Sequence, residues 1–592
     1  MCRWKNIPGC INLLFFAQLV DELLFDYSIP SNRISTLNCH YLCLDALNAI
    51  DAIDYNGVPE GTLKPIMEEL LTEINKDPAF TDSIHPSSFF MKMGDGFPRT
   101  TKRVADLNYD DLKRTAAALK KVFFDKDLYY ESLKKKIIEI VERNDPAEQQ
   151  NLFRMTKSML TELMNKGYSL KYLFFVMHKV FWSPRSVINS PNVILEFFDA
   201  FKMESYDYDV IFKVKKNKAH KLIRYIEELK LEDSVDIETE DNTAKKFFDK
   251  KNHESFLRIK RKAIDPYRAY EKAKELLEDN MAVYRLYDHE YQYKIGLAPY
   301  GVFDMNGKFY RGGSTKKPVQ HTKMPSDKSI SEGMELANNA IDNVADGFEY
   351  SDFYSLLSAI MFHSHSLDSY SEENQLLDLW AIFETIMNIS NKHTTDRIQQ
   401  VCIVLVPLLK RKYLYSLFDQ LADDIKNYSS IMFADIIGGK TERKEIVQQI
   451  CAYTLLPEYE SKRNSDLAHM ATFPLLRERI EYYYSKLHTR HDAFLFVEKH
   501  AERVKWQIMR IYRNRNLIIH NGESMPYLSL LIENLHSYVD DFIAYAIHSI
   551  AKGNNIESMC QEVFVTECKW NDKFSKSKEL VSLEDIREML SV

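Results

Sequence analysis

The chain has 592 residues, 45% apolar and 28% charged, a composition that excludes both intrinsic disorder and a collagen-like repeat. Its 78 lysines and arginines against 86 aspartates and glutamates leave a formal charge of −8, which excludes attachment to nucleic acid or an anionic membrane over the whole surface and requires any polyanion partner to find a local basic site. Seventeen glycines are too few for an all-β chain with a turn every few residues, so the expected fold is mainly α.

Arg3 and Lys5 precede an apolar run from Ile11 to Val20. Asn12 and Gln18 interrupt it, Asp21-Glu22 follows, and no small-x-small cleavage site appears, so an amphipathic core helix is expected rather than a signal peptide. No stretch reaches 18 uninterrupted apolar residues, so no membrane span is expected. Eight scattered cysteines suit a reducing compartment, and a cytoplasmic location follows. Cys39-His40-x-x-Cys43 lacks a second ligand pair and reads as two half-buried thiols on a helix; no metal and no cofactor is expected.

A helical N-terminal region is expected over 1–204, with apolar residues at three- and four-residue spacing in Leu63–Ile74, Tyr109–Phe124, Leu133–Val141 and Leu152–Leu163. A Ser/Gly/Pro-rich joint interrupts it over Pro78–Pro98, and Asp145-Pro146 breaks it again. Residues 205–328 read as an α+β segment: strands at Tyr208–Val214, Val235–Glu238 and Phe256–Ile264, helices at Ala219–Leu229 and Pro266–Tyr287, a hairpin from Tyr293 to Tyr310 turning at Asn306-Gly307, and a polar linker over Arg311–Lys328. Residues 329–552 return to helices, the most regular starting at Ser371 with Leu376, Leu379, Trp380, Phe383, Ile386 and Met387 on one stripe. Others cover Ile398–Leu409, Glu445–Leu455, Leu475–Leu487, Ala493–Ile519 and Tyr527–Ile550. A mixed C-terminal tail is expected over 553–592, ending in a short helix opened by Ser582-x-x-Asp585.

Gly439-Lys440-Thr441 imitates the end of a phosphate-binding loop, but Ala434 stands where that pattern needs glycine and no strand precedes it. His363-x-His365 lacks a third ligand. Alternation in Phe256–Ile264 puts Arg258, Lys260 and Lys262 on one face, which with Lys213, Lys215, Lys216, Lys218 and Lys221 could form a phosphate-contacting patch, partly neutralised by Glu238, Glu240 and Asp241. Lys260 is the substrate contact expected from it.

Chemistry concentrates in Val504–Glu523. Residues 501–520 hold Arg503, Lys505, Arg510, Arg513 and Arg515 against Glu502 alone, whereas 521–550 hold four acids and no lysine or arginine. On a regular helix Arg513, Asn516 and His520 share one stripe, while Arg515 and His520 lie about 140° apart. Histidine exchanges protons near neutrality, arginine grips a phosphate through two parallel donors, and asparagine orients either. Cleavage of RNA by its own 2′-hydroxyl needs proton transfer and charge stabilisation but no external nucleophile. Asn521-Gly522 ends the helix, placing His520 in an accessible last turn.

Arg515-Asn516-Leu517-Ile518-Ile519-His520 has the Arg-Asn-x3-His form, and with the Trp380–Met387 helix and the long closing helix it resembles the HEPN superfamily, in particular the Apea-like branch of prokaryotic antiviral and abortive-infection proteins. The resemblance covers roughly 340–550. Arg33-x6-His40 satisfies the loose spacing too, but in a Ser/Asn-rich turn without a basic helix. What the resemblance implies is a HEPN-like helical domain over 329–552 and a metal-independent endoribonuclease leaving a 2′,3′-cyclic phosphate and a 5′-hydroxyl. Arg515, Asn516 and His520 would be catalytic, with Arg513 and Arg510 as auxiliary phosphate contacts. It also implies an RNA substrate, a homodimer facing two motif helices, and an N-terminal part that senses a phage-derived trigger. The alternatives are a non-catalytic HEPN-like module for RNA binding or dimerisation, and a DNA regulator acting through the basic strand.

Overall fold

The computed structural model describes residues 3–24, 37–56, 58–81, 107–125, 128–217, 219, 230–237, 241–288, 298–313, 331–339, 350–369, 371–387 and 397–590. It is mainly helical, with a small five-stranded antiparallel sheet in the middle of the chain. The expected helix at Ala219–Leu229, the first residues of the hairpin, most of the 311–328 linker and most of the 78–98 joint lie outside the described residues.

In chain order the elements that matter here begin with α1 (Ile11–Leu24), α2 (Cys39–Asn56), α3 (Leu63–Lys76) and α4 (Gln149–Asn165). The sheet follows, with strands β1 (Tyr206–Lys215), β2 (Lys230–Glu232) and β3 (Glu254–Ala263), helix α5 (Pro266–Tyr287), and strands β4 (Tyr300–Asp304) and β5 (Phe309–Gly313). Then come α6 (Tyr350–Asp368), α7 (Glu372–Met387), α8 (Arg397–Tyr428), α9 (Pro474–Leu487), α10 (Arg490–Asn521), α11 (Leu528–Ala551), α12 (Ile556–Phe574) and α13 (Leu583–Met589).

The chain forms two compact units. One comprises residues 1–3, 159–188 and 192–317, the other 4–158, 189–191 and 318–592. The expected partition at residue 204 is therefore corrected: the first 158 residues belong with the C-terminal helices. Sequence-distant contacts explain why. Gln18 of α1 donates to the Thr472 carbonyl at 3.1 Å, and Arg479 of α9 pairs with Glu22 of α1 at 2.7 Å. The stretch after 552 is likewise no tail. Trp570, Phe574, Ile586 and Met589 are core residues packed with Phe418, Ile450 and Ile480, and Ser582 with Asp585 forms a full capping box.

In the first unit the sheet order is β2-β3-β1-β4-β5. β1 and β3 alternate as their β-branched and aromatic residues dictate. Val210, Phe212, Leu257 and Ile259 face α5, where Ala269, Ala273 and Leu277 close the core. Asp265 opens α5 as its N-cap, accepting from the amides of Tyr267 and Arg268. It also accepts from the backbone amide of Ser169 at 2.7 Å. The hairpin β4–β5 turns at Asn306-Gly307, with Gly307 at φ +76°, a conformation that favours glycine. The edge strand is Lys230–Glu232 instead of Val235–Glu238; residues 235–237 have no regular structure.

In the second unit α1 shows why its run is not amphipathic. Ten of its fourteen residues are buried, Asn12 among them, and Asn12 Nδ2 donates to the carbonyls of Ile140 at 3.1 Å and Asp145 at 2.8 Å. Cys39 and Cys43 lie on α2 as expected, but fully buried. Gly438 (φ +60°) and Gly439 (φ +81°) cap a helix end over Ser430–Ile437, so Gly439-Lys440-Thr441 follows a helix and not the strand a phosphate loop requires. No helix among the described residues is long and apolar enough to cross a membrane.

Candidate active site

Helix α10 carries the motif. Thr489 caps its start by accepting from the Asp492 amide, and Gly522, at φ +68°, caps its end by donating to the Ile518 carbonyl. Ala493, Val497, Ala501, Val504, Ile508 and Ile511 form its buried stripe at three- and four-residue spacing. Arg510 and Asn514 continue that stripe, so two polar groups point inward where the periodicity calls for apolar ones.

Their partners come from the N-terminal helices. Asp45 of α2 accepts at Oδ2 from Arg510 Nε (3.0 Å) and Arg513 Nη2 (2.7 Å), and at Oδ1 from the Tyr527 hydroxyl (3.2 Å). Arg510 Nη2 also pairs with Glu69 of α3. Burial pushes the Asp45 carboxyl up, but the charges and hydrogen bonds of Arg513 and Arg510 together hold it below the ordinary value. Glu69 goes the other way, raised by burial that Arg510 offsets only in part. Arg510 is raised: burial lowers it, and Glu69 and Asp45 outweigh that.

Arg510 is therefore corrected from a phosphate contact to a core residue, 2% exposed, because no solvent-borne phosphate can reach it. Arg513 is committed to the same carboxylate, with 16% of its side chain exposed. Arg515 is the arginine placed differently. Its Nη2 pairs with Glu384 of α7 at 3.1 Å, and its Nη1 donates to Asn516 Oδ1 at 3.1 Å. Glu384 is itself fixed by Trp380, whose indole N–H donates to Oε1 at 3.1 Å. The Trp380 ring packs on Tyr512 of α10 with centroids 5.4 Å apart. Asn516 is half-buried and His520, in the last turn, is exposed. His520 makes no hydrogen bond, ion pair or ring contact among the described residues.

Much of the positive charge read from residues 501–520 is paired with acids, although Lys505 is exposed. Arg503 pairs with Glu73, and Arg510, Arg513 and Arg515 are paired as above. In the other unit, Lys260 is exposed on β3, opposite Asp209 in the register, with Lys262 opposite Asp207. Arg258 is bonded to Asp209. Glu238, Glu240, Lys218 and Lys221 lie outside the described residues. His363 Nε2 lies 2.8 Å from Asp540 Oδ1, and no group of three potential metal ligands occurs among the described residues.

Sequence reading missed Glu384, Asp45 and Glu69. Each carried a faint signal, an acid set into an otherwise apolar helical stripe: Asp45 among Leu42, Ala46 and Ala49, Glu69 between Ile66 and Leu70, and Glu384 four residues after Trp380. No family model, curated protein or solved structure matches this chain.

Proposed function

We propose that the chain is a metal-independent endoribonuclease of HEPN type, acting at the C-terminal end of α10. The observation that carries the reading is an exposed imidazole, His520, on the same helix as an arginine five residues earlier whose guanidinium is oriented by Glu384 and Asn516 yet keeps 21% of its side chain exposed. In this reading Arg515 holds the scissile phosphate, Asn516 orients that guanidinium, and His520 moves the proton. The 2′-oxygen attacks phosphorus, the bond to the 5′-oxygen breaks, and a proton lost from the 2′-hydroxyl is matched by one delivered to the 5′-oxygen. The products are a 2′,3′-cyclic phosphate and a 5′-hydroxyl.

A homodimer is part of the proposal. Tyr354, Leu357 and Met361 form an exposed apolar stripe on α6, and Ile519, beside His520, is 47% exposed; surfaces of this kind suit a second copy. The role we assign is an effector of antiviral, abortive-infection type, in which the N-terminal helices regulate the motif helix. The support for that regulation is the bonding of Asp45 and Glu69 to α10.

The second reading, a non-catalytic HEPN-like module, draws on the same ion pair, since a guanidinium already satisfied by Glu384 must exchange partners to hold a phosphate. Incubating the purified chain with RNA and resolving fragment ends tests the proposal. Cyclic phosphate ends that disappear in His520→Ala and persist in chelator support it; intact RNA, with or without an infected-cell extract as trigger source, refutes it.

A further inference from the structure

One face of α2 runs past the end of the motif helix. Tyr41, Asp45, Asn48, Ala52 and Tyr55 recur at four- and three-residue steps, so they share a single stripe of that helix. Its first half is covered. The Tyr41 ring meets Tyr527 edge-on with centroids 5.2 Å apart, Asp45 binds Arg510, Arg513 and Tyr527, and Asn48 Nδ2 donates to Met525 Sδ at 3.1 Å. Exposure then rises along the stripe: Asn48 and Ala52 are half-buried, and Tyr55 is 82% exposed.

Two registers fix where the open half lies. Glu73 of α3 pairs with Arg503 and Glu69 with Arg510, so α3 runs antiparallel to α10. α2 packs on α3 and is joined to it by residues 57–62, a connection short enough to make the two antiparallel; α2 therefore runs in the same direction as α10. The loop after the motif agrees. Tyr41 and Asp45 meet Tyr527, whereas Asn48, one turn later, meets Met525, so moving along α2 means moving back toward Gly522. From the level of Asp45 and Arg513, His520 lies about 10 Å further along α10 and Tyr55 about 15 Å further along α2. The Tyr55 ring is uncovered because α10 stops at Asn521, and the helix end it overlooks carries the exposed His520.

The mounting of that ring is firm. Asp54, beside it, accepts from the Tyr109 hydroxyl at 2.8 Å and pairs with Lys113, both on the helix Tyr109–Lys120. The Ala52 carbonyl accepts from the Val58 amide at 3.4 Å. The free charges nearby are acidic: Asp51 on α2 and Glu523 after the motif are exposed, while Lys113 is committed to Asp54. Such a surface repels a second phosphate and suits the uncharged part of a nucleotide. A tyrosine ring offers a flat face to any base, and a base reaches such a ring only when it is unpaired.

We propose that Tyr55 stacks on a base next to the scissile phosphate, which makes the substrate single-stranded RNA and α2 the second wall of the site. This rests on the ribonuclease reading, in which Arg515 holds the phosphate and His520 moves the proton; the ring holds one flanking nucleotide in place. Tyr55 takes no part in the chemistry, so it contributes to binding.

Two measurements separate the ring from the reaction. The first is the fluorescence anisotropy of a labelled single-stranded 2′-O-methyl oligonucleotide, which cannot be cleaved because its attacking hydroxyl is blocked, and which needs neither trigger nor turnover. Tyr55→Ala weakens its binding by about ten- to a hundredfold, the loss of one base–aromatic stack, and Tyr55→Phe restores it. A duplex of the same sequence binds at least tenfold more weakly than the single strand. The second is steady-state cleavage of the matching oligoribonucleotide. Here Tyr55→Ala raises KM by a similar factor at nearly constant kcat, and Tyr55→Phe brings KM back. No binding of the single strand at millimolar concentration overturns the proposal, as does binding that Tyr55→Ala leaves intact. An equal loss in Tyr55→Phe overturns it too, by tracing the effect to the hydroxyl, and a dimer that Tyr55→Ala turns into monomer in sedimentation overturns it in favour of a subunit contact. A parent chain that binds the analogue through Tyr55 but cleaves nothing refutes the ribonuclease reading and keeps the stacking contact; a parent that cleaves, with the same KM in Tyr55→Ala, refutes the contact and keeps the ribonuclease.

Discussion

Asp45 Oδ2 accepts from Arg513 Nη2 at 2.7 Å across 468 positions of chain, and that single carboxylate ties the second helix to the turn of α10 that precedes the motif. It also accepts from Arg510 and Tyr527, so both of its oxygens are engaged. A buried charge held this way is costly to break from one side, because its removal strands the Arg513 guanidinium and leaves Arg510 with Glu69 alone.

Asp45→Asn is therefore expected to lose about 3–5 kcal/mol of unfolding free energy, read from urea denaturation. Asp45→Asn combined with Arg513→Met restores part of that loss, because the stranded cation goes with its partner. Additive losses in the double variant would show that the two side chains do not interact in solution.

His520→Ala is expected to leave the urea midpoint unchanged, since the ring is exposed and makes no contact that folding uses. On the proposed ribonuclease reading, cleavage of RNA is expected to fall by about 10²- to 10⁴-fold, the usual contribution of a general acid-base group. Full activity in the variant would remove His520 from the chemistry.

Glu384→Gln addresses the arginine. Gln keeps a hydrogen-bond acceptor for the Trp380 indole and for Arg515 but loses the charge that fixes the guanidinium fork. On the proposed ribonuclease reading the expected result is about a tenfold fall in kcat with little change in KM, because there Glu384 would act through Arg515 and touch no substrate. An equal loss in Arg515→Lys and Arg515→Ala would fit this account, since a lysine cannot replace the planar fork. A rise in activity in Glu384→Gln would mean that the carboxylate competes with the phosphate and suppresses the site.

What the sequence made visible divides by distance along the chain. Pro266–Tyr287 is found where its N-cap Asp265 and its periodicity put it, and the Asn306-Gly307 turn lies where the dipeptide requires positive φ. The motif helix and its glycine stop were legible for the same local reason. The fate of its arginines was not. A run of Arg503, Arg510, Arg513 and Arg515 reads as a basic surface until Glu73, Glu69, Asp45 and Glu384 arrive from elements more than 100 residues away. Local charge counts register the cations together and their partners separately. The same blindness turned residues 553–592 into a tail, since Trp570 and Phe574 reveal a core face only against α8 and α9.

His500 gives a prediction about acid stability. Its folded value of about 3 lies below the ordinary 6.5, so above pH 6.5 the ring is neutral in both folded and unfolded chains and its contribution is complete. As pH falls from 6.5 toward 3 the unfolded chain takes up the proton first, and stability is lost over that window. His500 stacks on Tyr413 of α8 with ring centroids 3.6 Å apart, and His500→Phe keeps an aromatic ring there and cannot titrate. The variant is expected to lose less stability than the parent between pH 6.5 and 5, by about 1 kcal/mol, less than the full linkage of about 1.4 per unit because the half-buried ring is partly solvated. Glu478 and Asp424, raised by burial to about 7 and about 6, act in the opposite direction over part of that window, since they take up protons first in the folded chain. They are common to both proteins and cancel in the difference. Parallel pH profiles for the two would place the imidazole in bulk water.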